Sequence, residues 1–428
     1  MYIHIATPTD TPETVARQYG ISTERLVSDN GISDLSRLVP GQALLILRPQ
    51  IIYTAKRGDT LFSIARQYGI SAMELLQRNP VYLFQQLYPG DQLTISFQGA
   101  GNRKIDSYGF SYPNVPEPIL KRALPCLTRG AVFSYGFQKD GSLRPIPDQA
   151  IIDTLYTYKT APILVFSSLN EKGSFDSERA SFLLRNKALW QTVIDNLLQT
   201  MRAKGYLGLD IDFEYIPASD GAAYSAFIYQ TATALHRYGY SVNVDLAPKT
   251  SSQQQGILYE GLDYAAIGEA ADTVLLMTYE WGYAAGEPRA IAPLPQARQV
   301  VQYAVSQIKR EKIYLGIPNY GYDWPVRAKK SIGQAKSLGN EEAVRLAAAT
   351  NAQIHYDQQA EAPYFEYRAN DGQEHLVWFE DVRSIQKKFR LMDEFQLRGP
   401  GYWNLSRPFA QNWSLLSYDY VINKEVPW

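Results

Sequence analysis

The stretch GLDIDFEY, residues 208–215, places three acids in five positions, with one apolar residue between each pair. Like charges this close repel, yet the run otherwise reads as a buried β-strand. Successive side chains of a strand point to opposite faces. Asp210, Asp212 and Glu214 therefore share one face, and Leu209, Ile211 and Phe213 share the other. A parallel (β/α)₈ barrel accommodates both faces: the apolar one packs on helices and the acidic one lines the interior. Barrel active sites lie at the C-terminal mouth, and Glu214 is the acid nearest to it. Confined carboxyls cannot all ionise easily. Asp210 and Asp212 are expected to share a proton, and Glu214 to carry a raised pKa. A general acid for glycosidic cleavage needs that property.

Other uses of three acids fit less well. A calcium loop needs Gly after its third acid and Glu at its twelfth position, and the residues from Tyr215 onward do not supply them. A D-x-D metal pair has no histidine or fourth acid close by in sequence. Three buried carboxylates without a task would be costly.

Working outward, short apolar runs recur at 104–112, 131–137, 162–169, 206–215, 241–247, 273–281, 312–320 and 399–405. Helical patterns with apolar residues at i, i+3, i+4 spacing separate most of them. Eight strands alternating with helices predict the (β/α)₈ barrel. Extra chain falls between strands seven and eight, where residues 363–380 read as a hairpin around Asn370, Asp371 and Gly372.

The chain opens differently. ARQYGIS occurs at 16–22 and again at 65–71, 49 residues apart. The same offset relates Asp10-Thr11 to Asp59-Thr60, Asn30 to Asn79, and Pro40-Gly41 to Pro89-Gly90. A period held by several separate markers indicates duplicated units. Each reads as strand, capped helix, capped helix, Pro-Gly turn and strand. A Gly- and polar-rich stretch at 98–104 marks the boundary to the barrel. The expected domains are 1–48, 49–97 and 98–428.

Composition excludes several classes. The chain has 428 residues, with 42 Lys+Arg against 43 Asp+Glu. This balance gives no electrostatic footprint for nucleic acid or an anionic membrane. No apolar run reaches the ~20 residues of a membrane helix. The opening residues, MYIHIATPTDTPE, show neither the basic nor the apolar region of a secretory signal. One cysteine, Cys126, forbids an internal disulfide. Four scattered histidines match no zinc spacing, so neither metal nor cofactor is expected. A monomer is expected.

Two resemblances follow from the quoted residues. YTAKRGDTLFSIARQYGIS (53–71), with LLQRNP (75–80) and LYPGDQLTI (87–95), closely resembles a LysM module; residues 1–47 resemble it less, with Thr9 at the position of Gly58 and Gly31 at that of Pro80. LysM modules bind glycans containing N-acetylglucosamine. The resemblance implies a groove formed by Gly58, Asp59, Thr60 and Leu61 in one loop and Asn79, Pro80 and Val81 in the other. Read on their own, Asp59 and Thr60 also cap a helix. The modules are expected to act as tethers. Removing residues 1–97 should then weaken retention on insoluble glycan and spare turnover of short oligosaccharides.

GLDIDFEY also resembles the D-x-x-D-x-D-x-E signature of family 18 glycoside hydrolases, without its first Asp. MTYEWG (277–282) resembles that family's Met-x-Tyr-Asp, with Glu280 replacing Asp, and GYWNL (401–405) supplies Trp403. The strand-three Ser-x-Gly-Gly is here SSLN (167–170), with both glycines missing. The resemblance implies a substrate-assisted, retaining reaction. Glu214 would protonate the leaving oxygen, and the sugar's own acetamido oxygen would attack C1. Asp212 would orient the acetamido nitrogen, Asp210 would share its proton, and Tyr279 would donate to the acetamido oxygen. Trp403 would floor the subsite, and Glu280, Tyr320 and Asn170 would add substrate contacts.

LysM modules, a family 18 barrel and no export signal together resemble the spore cortex-lytic N-acetylglucosaminidases of Bacillus-type bacteria. That implies peptidoglycan as substrate and the coat–cortex boundary of the spore as location. Two alternatives stay open: a LysM-bearing chitinase, and a non-catalytic glycan-binding spore protein.

Overall fold

The computed structural model describes residues 1–424 and 426. Eight parallel strands close into a barrel. They are β1 (Tyr108–Ser111), β2 (Arg129–Tyr135), β3 (Ala161–Ser167), β4 (Gly208–Asp212), β5 (Ser241–Leu246), β6 (Thr273–Leu276), β7 (Ile313–Pro318) and β8 (Gly399–Trp403). Each overlaps one of the eight apolar runs. Helices alternate with them, and the helix Lys187–Lys204 shows why. Its buried residues, from Trp190 through Val193, Ile194 and Leu197 to Met201, recur at three- and four-residue spacing and form one stripe. Gly205, at φ 81°, ends it in the left-handed conformation that glycine adopts freely.

β4 stops at Asp212, three residues short of the run read from sequence. Its pairing with β3 ends at Ser167 opposite Asp212, and its pairing with β5 at Val244 opposite Ile211. Alternation nevertheless continues past the last ladder bond. Phe213 is buried outside the barrel, where its ring lies 6.1 Å from Phe137 and 6.0 Å from Tyr224. That anchor leaves Glu214 on the mouth side.

The insertion between β7 and β8 is larger than a hairpin. Strands Gly321–Arg327, Lys330–Ser331, Lys336–Leu338, His355–Asp357, Ala362–Arg368 and Glu374–Trp378 form one antiparallel sheet, and helix Asn340–Ala349 lies against it. The expected hairpin is present, with Gly372 at φ 86° in its turn. The strands of two or three residues are too short to show a period of two, and Gly321–Arg327, with Pro325 inside it and no regular alternation of burial, does not read as a strand either. Phe365 and Val377 bury one face against Ala343 and Ala347 of the helix.

Both N-terminal units are βααβ. The first comprises Tyr2–Ile5, Pro12–Tyr19, Thr23–Asn30 and Ala43–Ile46; the second comprises Pro49–Thr54, Leu61–Gln67, Ala72–Arg78 and Gln92–Phe97. They are not loose appendages. The strand Ala43–Ile46 is buried on both faces: Leu44 and Ile46 fill the unit's own core, while Ala43 and Leu45 join the large core of the barrel domain. Helix Ala410–Asp419 packs between barrel and units, and all residues from Ala410 to Tyr418 are buried. Two of its polar side chains bond to the first unit. Gln411 donates to Asn30 Oδ1 at 3.0 Å and to the Ala43 carbonyl at 2.7 Å, and Ser414 donates to Asp29 at 3.2 Å. The second unit reaches across as well, with Gln77 donating to the Pro125 carbonyl at 2.7 Å. The glycine-rich stretch between units and barrel is stapled down rather than free. Gly101 donates to the Tyr418 carbonyl, a Cβ at Gly101 would lie 2.0 Å from the Asp419 carbonyl oxygen, and Arg103–Ile105 pairs with Tyr420–Ile422.

Candidate active site

The site is built from the C-terminal ends of β4, β5, β6 and β8. On β4, Asp210 is completely buried and Asp212 is 4 % exposed. Asp210 Oδ2 accepts from the Tyr108 hydroxyl of β1 at 2.6 Å and from Asn243 Nδ2 of β5 at 3.0 Å. The Asn243 amide also reaches Asp245 Oδ1 at 3.3 Å, and its oxygen accepts from Thr273 of β6 at 2.8 Å. The Oδ1 atoms of Asp210 and Asp212 are buried with no partner among the described residues. Groups so placed need a proton or a ligand.

Burial sets the protonation of the whole cluster. It pushes Asp210 up to about 7, against the pull of Tyr108, Asn243 and the Arg129 charge. Asp212 is raised well above the carboxylate range by burial and then by the Glu214 and Asp210 charges. Glu214, half-buried at the mouth, is pushed up to about 7 by burial and by the nearby Glu280 charge. Asp245 is also raised, by burial and by the three acids of the β4 segment. Tyr279, after β6, is 9 % exposed, and burial beside these acids keeps it a neutral donor.

Two turns aim the acids. Tyr215, directly after Glu214, has φ 57°, and Glu280, directly after Tyr279, has φ 65°. Non-glycine residues occupy this region at a cost of ~1–3 kcal/mol and persist only where their surroundings hold them. Glu280 is held by the hydroxyls of Tyr320 and Tyr322, the latter at 3.0 Å. Trp403, at the end of β8, is half-buried, with Phe133 at 4.9 Å and Phe110 at 5.6 Å behind it. It shares an apolar cluster with Tyr279 and Tyr320. The mouth therefore presents the half-buried Glu214 carboxyl, the exposed Glu280 carboxyl held by two tyrosines, buried acids beneath them, a phenol donor and an indole platform. Among the described residues, no His, Cys, Asp and Glu group is arranged to hold a metal ion, and no helix is long and apolar enough to cross a membrane.

Residues 169–407 match the glycosyl hydrolases family 18, and residues 4–46 and 53–96 each match the LysM domain. The chain belongs to glycosyl hydrolase family 18. It is a glycoside hydrolase with two LysM domains. It is 42 % identical over 423 residues to a cortical fragment-lytic enzyme of Bacillus anthracis, covering 97 % of each chain. The crystal structure of the spore cortex-lytic enzyme SleL of Bacillus cereus superposes with a TM-score of 0.83 at 34 % identity, covering 100 % of this chain and 99 % of that one. A chitinase of Chromobacterium violaceum superposes with a TM-score of 0.67 at 26 % identity over 73 % of this chain and 98 % of its own.

Within this hydrolase, the structure brings Glu214, Tyr279, Glu280, Tyr320 and Trp403 to one mouth, with Asp212 and the fully buried Asp210 beneath it. Asn170 is committed elsewhere. Its side-chain oxygen accepts from the backbone of Lys172 and Ser174 and holds its own turn. In the second LysM unit, Gly58 turns at φ 92° and Asp59 accepts from Tyr53 and the Lys56 backbone, each at 2.7 Å. Thr60 caps the helix that begins at Leu61. Asn79 is 6 % exposed, and its amide is spent on the backbone of Leu75 and Thr94. Asn30 locks the first unit through Leu26 and Leu45 in the same way. Both asparagines hold their own units together. Pro80 is buried, and of that loop Val81, 41 % exposed, faces solvent.

Sequence reading missed Tyr108, Asn243, Asp245 and Tyr322. A signal existed for two of them. SVNVDLA alternates like GLDIDFEY, so Asn243 and Asp245 share the inner face of β5 next to Asp210.

The buried acids should show in stability. An Asp in the unfolded chain titrates near ~3.9, whereas Asp210 titrates at about 7 in the fold. Protonation therefore favours folding. The contribution is complete below pH ~4 and is lost as pH rises through the folded value. Asp210→Asn, which cannot ionise, should gain stability relative to the parent as pH rises from ~4 to ~7, by a few kcal/mol at ~1.4 per pH unit. Urea titrations at several pH values measure the difference. A difference that stays constant across this range would refute the assignment.

Proposed function

We propose that this chain is a spore cortex-lytic N-acetylglucosaminidase. It hydrolyses β-1,4 bonds after N-acetylglucosamine in peptidoglycan by a retaining, substrate-assisted reaction. One observation carries the reading: of the three acids of GLDIDFEY, Glu214 is half-buried at the mouth, Asp212 is 4 % exposed just beneath it, and Asp210 is completely buried. A sugar bound there meets one carboxyl of that segment that can exchange protons with water, and the exposed carboxyl beside it, Glu280, is engaged by the Tyr320 and Tyr322 hydroxyls rather than free to serve as nucleophile. The acetamido oxygen of the substrate fills that role.

Glu214, protonated near neutral pH, gives its proton to the leaving oxygen. Asp212 accepts from the acetamido nitrogen, and Tyr279 donates to the acetamido oxygen as it closes on C1. Glu214 then takes a proton from the water that opens the ring intermediate. Trp403 stacks under the sugar, and Glu280, held by Tyr320 and Tyr322, binds its hydroxyls. Relatives named for cortical fragments and spore cortex support this substrate and a place in the spore, and we take the coat–cortex boundary as that place. The LysM units at 1–48 and 49–97 bind the same class of glycan, and the barrel domain at 98–428 cleaves it. The enzyme acts as a monomer, without nucleic-acid or membrane partners.

Muramic-δ-lactam, the modified sugar of spore cortex, ties its nitrogen into a ring and cannot assist its own cleavage. Mass spectrometry of digested cortex fragments should therefore show products ending in N-acetylglucosamine. Products ending in muramic acid or its lactam would contradict the mechanism, and faster turnover of chitin oligosaccharides than of cortex fragments would favour a chitinase.

A further inference from the structure

A fourth acid, Asp245, lies beside the three of the β4 segment. Val242, Val244 and Leu246 of β5 join the core outside the barrel, so alternation turns Asn243 and Asp245 inward. The last paired residues of β4 and β5 are Ile211 and Val244. The next residues on the two strands are Asp212 and Asp245, which stand side by side. Neighbouring strands lie ~4.8 Å apart, which brings the two carboxyls within reach of each other. Asp245 is 4 % exposed, like Asp212.

The surroundings of Asp210 and Asp245 differ. Asp210 accepts from Tyr108 at 2.6 Å and from Asn243 at 3.0 Å, and the Arg129 charge also favours its ionised form. Asp245 accepts from the same Asn243 amide at the longer distance of 3.3 Å. The charges that act on it are those of Asp210, Asp212 and Glu214, and the phenols of Tyr108, Tyr224 and Tyr279 face it as well. Three acids around it make Asp245 hold a proton more firmly than Asp210 does. After burial, the Asp245 charge does most to keep Tyr279 protonated. Asp245 thus adjoins both groups assigned to the acetamido group, Asp212 on its nitrogen side and Tyr279 on its oxygen side.

Side-by-side buried carboxyls cannot both ionise, and they share a proton. A positive ring forming against Asp212 decides which of the two holds it. We propose that Asp245 is a positioning residue that keeps the proton of the Asp212–Asp245 pair while Asp212 is charged against the ring intermediate. The O–H bond on Asp212 breaks as one forms on Asp245, and the exchange reverses when water opens the ring. The inference rests on the substrate-assisted reaction proposed above, and it gives Asp212 a second proton partner besides Asp210.

The test uses Asp245→Asn and Asp245→Leu in the full chain. Turnover of N-acetylglucosamine-containing fragments is measured, together with calorimetric binding of a thiazoline analogue of the ring intermediate, whose ring nitrogen meets Asp212. Asp245→Asn keeps the size and the contact with Asn243 but cannot take the proton. It should lower kcat about tenfold, the worth of one unit of displaced proton affinity, and weaken the analogue by a similar factor, with KM kept. Asp245→Leu should lose at least as much. Each variant removes a buried acid and should melt no lower than the parent. Full activity in Asp245→Asn with loss only in Asp245→Leu would make Asp245 a structural partner of Asn243 and overturn the proposal. So would a loss that falls on KM, equal weakening of substrate and analogue, or a lower melting temperature in Asp245→Asn. If the parent neither cleaves the fragments nor binds the analogue, the substrate-assisted reading itself fails, and that result is distinct from failure of the Asp245 assignment.

Discussion

Glu214→Gln should lower kcat on N-acetylglucosamine-containing fragments by ~10²–10⁴, the usual worth of general acid–base catalysis. The amide keeps the shape of the side chain but has no proton to give the leaving oxygen. Glu214 titrates at about 7, so the parent rate should fall as pH rises past that value and the acid ionises. The variant should lose this alkaline limb along with its rate. Substrate should still bind, because Trp403, Tyr279 and Asp212 are untouched. A variant with near-parental kcat would remove Glu214 from the mechanism, and an unchanged alkaline limb would assign the limb to another group.

Deleting residues 1–97 should cost the barrel its fold, not merely its grip on polymer. Sequence reading expects separable tethers, and the packing reverses that expectation. Leu45, Leu47 and Phe97 are buried in the same core as Trp413 and Tyr418. Burial of a large apolar side chain is worth ~1.5–3 kcal/mol, so losing three approaches the ~5–15 kcal/mol of a typical fold. Gln411 and Ser414 also lose their partners. The 98–428 fragment should fail to accumulate as folded protein, or should melt far below the full chain and show little turnover even of short oligosaccharides. Leu45→Asp in the full chain keeps both units and should destabilise in the same direction. A 98–428 fragment that melts within a few degrees of the full chain and keeps its rate on short fragments would restore the tether picture.

The barrel was legible because its strands are apolar runs bounded by amphipathic helices, and because three acids at a period of two have few homes. The network around the acids was less so. Tyr108 meets Asp210 only after the barrel closes, across 102 residues, and no local pattern marks that pairing. The embedding of the first unit did leave a trace. Its last strand reads ALLIL over 43–47, apolar at every position, whereas the second unit has QLTIS over 92–96 at the same register. Continuous apolarity means two covered faces, and alternation means one. The LysM pattern drew attention to shared markers, and this difference lay between them.

The double-faced strand also has a consequence in time. A chain is synthesised from its N-terminus at ~5–20 residues per second. Ala43 and Gln411, whose hydrogen bond joins the first unit to helix Ala410–Asp419, lie 368 residues apart. At that speed, roughly 20–70 s pass between the emergence of the apolar strand and that of the helix that covers it. The first unit can close its own core within that interval, yet the side chains of Ala43, Leu45 and Leu47 must wait. Arg103–Ile105 waits as well, because its partner Tyr420–Ile422 comes last of all. A ribosome stalled before residue 410 therefore holds a nascent chain with an unsheltered hydrophobic strand. Truncations near the C-terminus should for that reason be as damaging to solubility as truncations of the LysM units.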